Sequence, residues 1–244
     1  MKQIYNIADR IIEISSLHST VHSQCGEYRS EGEPDFSIEI QPADIDFERE
    51  KSAQADKAEE RAIQFYPDDY LETLAVYRKI AEKMPEYDTV LFHGSAIAVE
   101  GQAYLFTAAS GTGKSTHARL WRKLLGDRAV MVNDDKPLIH ISNSGAIIYG
   151  TPWDGKHHLS SNIAVPLKSI CILERAEENA IRPVTSKEVL PMLIQQTYRP
   201  ADSMSLAKSL TLIDRLGRDV KLYRLGCNMD ISAASLSYEM MKEG

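Results

Sequence analysis

The densest chemistry in the chain lies in eight residues, Ala108-Ala109-Ser110-Gly111-Thr112-Gly113-Lys114-Ser115. Two glycines, a lysine and a hydroxyl residue at this spacing match the phosphate-binding loop, with Ala108 where glycine is usual. The residue types follow from the task of holding phosphates. Gly111 and Gly113 let the backbone curl so that its N–H groups point inward at an anion. A helix starting directly afterwards adds the positive end of its dipole and its unpaired first-turn N–H groups. Lys114 reaches the β- and γ-phosphates, and the Ser115 hydroxyl ligates Mg²⁺. Ser110, Gly111, Thr112, Gly113, Lys114, Ser115 and Thr116 are therefore the expected binding residues for a nucleoside triphosphate. The bland rival is a glycine-rich turn with no ligand; the apolar strand before the loop and the helix after it favour phosphate binding.

Other residues with chemical potential each carry a plainer alternative. Asn133-Asp134-Asp135 closes the apolar run Ala129–Val132. Two acids ending a buried strand just past a phosphate loop suit a metal better than a solvated turn does. His93 is either a site residue or a satisfied turn histidine. Thr151-Pro152-Trp153-Asp154-Gly155-Lys156 either lines the cleft, with Trp153 beside substrate and Lys156 on phosphate, or is a Pro/Gly turn anchored by a buried tryptophan. His157 and His158 are not read as metal ligands, because adjacent strand residues point to opposite faces and partner ligands are not visible. His117 reads as packing or surface. Cys25, Cys171 and Cys227 are widely spaced and odd in number, which fits small core residues in a reducing, cytoplasmic compartment.

The elements that must position these residues can be read from periodicity. Strands are expected at Thr89–Phe92, Ser95–Val99 and Ala103–Thr107, the last two joined by the tight-turn pair Glu100-Gly101. A helix from Lys114 to Leu125, ended by Gly126, follows the loop. Leu138–Ile141 and Ala146–Tyr149 flank a turn at Ser142–Gly145. Ser169–Glu174 and Val220–Leu225 read as strands; Ser186–Gln196, Asp202–Leu216 and Met229–Met241 read as helices, the first kinked or shortened by Pro191. Upstream, weak alternation in Tyr5–Ala8 and Ile11–Ile14 precedes a loop at Cys25–Pro34 and a cleanly alternating strand at Phe36–Ile40. Asp44–Ala62 is charged and undecided between solvated helix and connection, and Leu71, Leu74, Tyr77, Ile80 and Ala81 share one helical face. Residues 1–86 are expected to form a small α+β appendage, and residues 87–244 the core.

Composition narrows the partners. A formal net charge of −7 disfavours a surface that coats nucleic acid, and no run approaches a membrane-spanning helix. No signal peptide is expected, since residues 1–15 lack a basic start followed by a long apolar stretch.

The strand entering the loop is the return arm of a hairpin, whereas common phosphate-loop NTPases enter from a parallel sheet. Taken in order, Phe92-His93-Gly94, the hairpin, Ser110–Ser115 and Asn133-Asp134-Asp135 resemble the HPr kinase family and its phosphoenolpyruvate carboxykinase relatives. The resemblance spans about residues 92–156. It implies an α/β fold with a mixed, largely antiparallel sheet around a phosphate-loop kinase core, with ATP and Mg²⁺ as ligands. It also implies roles: Lys114 on phosphate, Ser115 and Asp134 on metal, Asp135 accepting the acceptor's proton, and His93 near the transferred phosphate. Thr116 stands where HPr kinases usually carry an acid, and their later glycine-rich signature is not evident. These departures point away from HPr itself as acceptor and from the reverse, phosphate-removing activity. The chain is also too short for a full carboxykinase. The expectation is transfer of the γ-phosphate to a hydroxyl, a serine of a peptide or small protein; similar short kinase-like proteins accompany peptide-modification systems. A small metabolite as acceptor, a non-catalytic nucleotide switch and a parallel-sheet NTPase are the alternatives.

Overall fold

The computed structural model describes residues 1–58 and 60–243. Glu59, inside the undecided stretch 44–62, and Gly244, at the end of the second expected domain, lie outside the described residues. Two compact units make up the chain, Met1–Glu82 and Lys83–Gly244. In the first, β1 (Lys2–Ile7) and β2 (Arg10–Ser15) form an antiparallel hairpin turned by Ala8 and Asp9, both left-handed. A short helix α1 (Thr20–Gln24) precedes β3 (Phe36–Glu39), which adds parallel to β2. The charged stretch then resolves as α2 (Pro42–Ala58), followed by α3 (Asp68–Lys83). Of the face its spacing predicts, α3 buries Leu71, Tyr77, Ile80 and Ala81, while Leu74 is half-buried. α2 has little apolar face and is held through charge instead: Arg78 Nε donates to Glu48 Oε1 at 2.5 Å, and Lys79 Nζ lies 2.6 Å from Asp44 Oδ2.

The second unit runs β4 (Thr89–Leu91), β5 (Ser95–Val99), β6 (Gln102–Thr107), α4 (Lys114–Leu125), β7 (Ala129–Asn133), β8 (Leu138–Ser142), β9 (Gly145–Tyr149), β10 (Ala164–Arg175), β11 (Ala180–Pro183), α5 (Ser186–Gln196), α6 (Ser203–Asp219), β12 (Lys221–Cys227) and α7 (Ile231–Glu243). A single-turn 3-10 helix, Met84–Tyr87, leads into β4 and belongs to this unit. Among the described residues its nine strands form one mixed sheet, ordered β4-β8-β9-β10-β6-β5-β7, with β12 beside β10 and β11 beside β12. The start of β10 pairs antiparallel with β9, and its remainder pairs parallel with both β6 and β12. Every other pairing in this sheet is antiparallel.

β6 is fully paired on both edges, and its period-2 side chains feed two cores. Leu105 on one face packs with Ile170 and Ile172 of β10 against Leu193 of α5 and Ile213 and Leu216 of α6. Tyr104 and Phe106 on the other face pack with Cys171, with Trp121 of α4 and with Tyr238 of α7. The result is an α/β sandwich with the sheet between two pairs of helices. The β5–β6 hairpin turns at Glu100 and Gly101, left-handed at both residues (φ 52° and 77°), as a two-residue turn demands. α5 keeps its expected length despite Pro191, its first turn fixed by a capping box between Thr185 and Glu188. β11 and the early half of β10 were not foreseen. Among the described residues no helix is long and apolar enough to cross a membrane.

Candidate functional site

The loop after β6 folds as its glycines require. Gly111 and Gly113 take φ of 73° and 119°, angles open to glycine and costly for other residues, and α4 starts at Lys114. Ala108 is fully buried and is not left-handed, so a methyl group fits where glycine is usual. Ser110 is exposed; Thr112, Gly113, Ser115 and Thr116 are half-buried around the start of the helix. Lys114 Nζ folds back to donate to Ala108 O at 3.1 Å. Burial pushes the Lys114 amine below its ordinary pKa, against the opposing pull of Asp135 and Asp134. The end of β10 also reaches the loop, where Arg175 Nη2 donates to Gly111 O at 2.5 Å.

The acids sit on the turn after β7. Asp134 is buried, and its Oδ1 accepts from Ser95 Oγ at 2.7 Å. Burial raises its carboxyl pKa, and hydrogen bonds from Ser95 and Ser115 pull it partly back. Asp135 faces other partners: His93 Nε2 at 3.3 Å from Oδ1, and Lys136 Nζ at 2.5 Å from Oδ2. Burial alone would raise its pKa as well, but His93 and Lys136 outweigh that and take it down to about 2. The two neighbouring carboxyls are thus pushed in opposite directions, the pattern of paired acids with divided roles. His93 is held by its backbone, its N–H donating to Gln196 O at 2.7 Å and its C=O accepting from Thr107 Oγ1 at 3.0 Å. Gly94 cannot carry a side chain, because a Cβ there would lie 2.8 Å from Phe106 O and Leu105 Cδ1.

Asp134, Asp135, His93, Lys114 and Ser115 are linked by these contacts into one neighbourhood. Ser115 and Asp134, in hydrogen-bonding contact, offer the oxygen donors that a hard cation such as Mg²⁺ takes. Among the described residues no three His, Cys, Asp or Glu side chains cluster as a metal site. In the Thr151–Lys156 cluster, Trp153 is buried and Lys156 is exposed. Trp153 and Thr151 serve the acids indirectly, through carbonyl oxygens that accept from Asn133 Nδ2. Gly155 (φ 76°) packs on Asp135, its missing Cβ position only 3.0 Å from the Asp135 Cβ. His158 lies 3.3 Å from Asp154 Oδ1. His117 is a core residue on α4, its Nε2 3.0 Å from Ser237 Oγ.

Sequence reasoning passed over Ser95 and Arg175, and it gave Asn133 and Thr151, though both stand in the motifs it singled out, no role in holding the acids. An asparagine between a buried strand and two acids was the one available signal; the other three act through strand neighbours far away in sequence.

The molecule is an α/β protein with a mixed sheet and a glycine-rich loop facing two acids. The chain belongs to the SynChlorMet cassette protein ScmC family, whose model matches residues 68–209. No curated protein sequence matches it. Among solved structures it is similar to the HPr(Ser) kinase/phosphatase from Coxiella burnetii at 13% identity and a TM-score of 0.36, over 63% of this chain and 99% of that one. A likeness of that strength carries no argument about activity.

Proposed function

We propose that this chain is a phosphotransferase with a phosphate-loop core of HPr kinase/carboxykinase type, moving the γ-phosphoryl group of ATP to a hydroxyl, a serine of a peptide or small protein. One observation carries the reading: Ser115 and Thr116 of the loop and Asp134 of the acidic turn line one cavity, so loop and acids open on a common space. The loop N–H groups and Lys114 hold the phosphate chain, and Ser115 with Asp134 forms the metal side. Mg²⁺ bound there supplies charge neutralisation across the phosphates. Asp135 accepts the hydrogen bond of the incoming hydroxyl, and His93 fixes its orientation. A carboxyl taken down to about 2 is a weak base, which suits a loose transition state in which positioning outweighs proton abstraction.

The strand entering the loop pairs parallel with β10 on one edge but antiparallel with β5 on the other, and this mixed sheet argues against a parallel-sheet motor NTPase. A second reading, a nucleotide-dependent switch that transfers nothing, is favoured by the Asp135–Lys136 pair, which an acceptor must open or share. Phosphorus NMR with ATP, Mg²⁺ and extract from the source as acceptor pool separates the two. A new phosphoester that disappears with Asp135→Asn supports transfer, and its isolation tells peptide from metabolite. Tight ATP binding with neither phosphoester nor hydrolysis favours the switch.

A further inference from the structure

A cavity of about 300 Å³ opens along α4, lined by Ser115, Thr116, Arg119, Arg122, Asp134 and His157, with Ala118, Met131 and Leu159 as apolar wall. That volume is at the lower end of small-molecule sites, roughly 300–1,000 Å³. Ser115 and Asp134 place one end at the metal side of the site. Arg122 lies two helical turns further along, about 10 Å at 1.5 Å per residue. Arg119 and Arg122 are exposed, and among the described residues no acid is ion-paired with either.

Neither Asp135 nor His93 lines this cavity. In-line transfer puts acceptor and leaving group on opposite sides of the moving phosphoryl. If Asp135 and His93 mark the acceptor side, a cavity that contains Ser115, Thr116 and Asp134 but not those two lies on the leaving-group side. Its mixed lining also fits a nucleoside better than a simple anion. Inorganic phosphates have no use for the Met131, Leu159 and Ala118 wall, whereas a planar base does, and guanidinium groups stack on such rings or hydrogen-bond a ribose.

Resting on the phosphotransferase reading, we propose that this cavity receives the ribose and base of the nucleoside triphosphate, with Arg119 and Arg122 as the residues that favour a nucleotide over an inorganic polyphosphate. The phosphate loop grips the phosphate chain and the cavity grips the rest.

Calorimetric titration of the full chain with Mg²⁺ tests this, using ATP and inorganic tripolyphosphate on wild type, on the Arg119→Ala/Arg122→Ala double variant and on Leu159→Trp, which fills the space. The expected result is ATP affinity reduced at least about tenfold in both variants, with tripolyphosphate affinity within about twofold of wild type. Unchanged ATP affinity, or equal loss for both ligands, overturns the assignment. So does an acceptor KM that rises in the double variant while ATP affinity holds, since the cavity then belongs to the acceptor. Wild type that binds neither ligand brings down the nucleotide reading itself, an outcome distinct from failure of the cavity alone.

Discussion

Asn133 holds Asp135 in place: its Oδ1 accepts the backbone N–H of Asp135 at 2.9 Å and that of Lys136 at 2.7 Å. Its Nδ2 donates to Thr151 O at 3.1 Å and to Thr151 Oγ1 at 3.0 Å. The side chain is fully buried, so nothing from solvent can replace it. Asn133 thus fastens the acidic turn to the segment after β9 and fixes the backbone from which the Asp135 carboxylate leaves.

Asn133→Ala should therefore cost stability and activity together. Several buried partners lose their bonds, each at about 1–3 kcal/mol, and a loss of roughly 3 kcal/mol is expected in urea unfolding. Asn133→Asp keeps an acceptor for the two N–H groups but sets a carboxylate against carbonyl oxygens. It should be no better tolerated, and wild-type stability in that variant would remove the asparagine from this role.

Lys114→Ala should abolish productive nucleotide engagement, because it removes the half-buried ammonium that the loop itself carries. Asp135→Asn should leave ATP affinity close to wild type and remove transfer. Calorimetry with parallel turnover assays separates the two effects, and unchanged transfer would take Asp135 out of the mechanism.

Arg175→Ala should weaken ATP binding by several-fold without unfolding the sheet. Its guanidinium braces the Gly111 carbonyl from the end of β10, and charge-assisted bonds of this kind contribute about 1.5–3 kcal/mol when well formed. Exposure of Arg175 places the effect at the low end. Faster hydrogen exchange at residues 109–113 is the accompanying readout; unchanged exchange and affinity would make the contact incidental.

His117 predicts how stability responds to acid. Trp121 Nε1 donates to Ser237 Oγ at 2.8 Å, and Ser237 in turn donates to Ala233 O, so the His117 Nε2 that meets this oxygen carries the proton. Its Nδ1 is left as a buried acceptor with no partner among the described residues, and burial pushes the imidazole pKa down to about 4. The unfolded chain protonates near 6.5 while the folded one resists until about 4, so stability is lost as pH falls through that window. The upper limit is about 3 kcal/mol. Asp135 adds a lower window: its folded pKa is also depressed, so its contribution is present above the ordinary Asp value and fades as pH drops towards 2. Urea titrations at several pH values should show the upper slope in wild type and its flattening in His117→Phe.

What the sequence disclosed depended on how local the cause was. Helix α4 ends where Gly126 says, and the β5–β6 hairpin is written in Glu100-Gly101, because both features depend on backbone preferences of adjacent residues. α2 stayed undecided because its anchor is Arg78 and Lys79 on α3, and ion pairs across helices leave no periodicity. β11 and the early half of β10 were missed since their partners, β12 and β9, come from elsewhere in the chain. At the site, loop and acids were readable as residue types, while Ser95 and Arg175 became visible only once strands had brought them alongside.

The position of β10 has a consequence for how the molecule comes into being. β6 meets β5 across a two-residue turn, yet its other neighbour arrives much later, with Leu105 opposite Ile170. Closing so wide a loop carries an entropic cost before any contact rewards it, which makes such pairings slow. On a growing chain the hairpin can form as soon as Thr107 is free, while the strand that carries Arg175 to the glycines has still to be synthesised. The bracing of the glycine loop by Arg175 should thus be among the last features the nascent protein acquires.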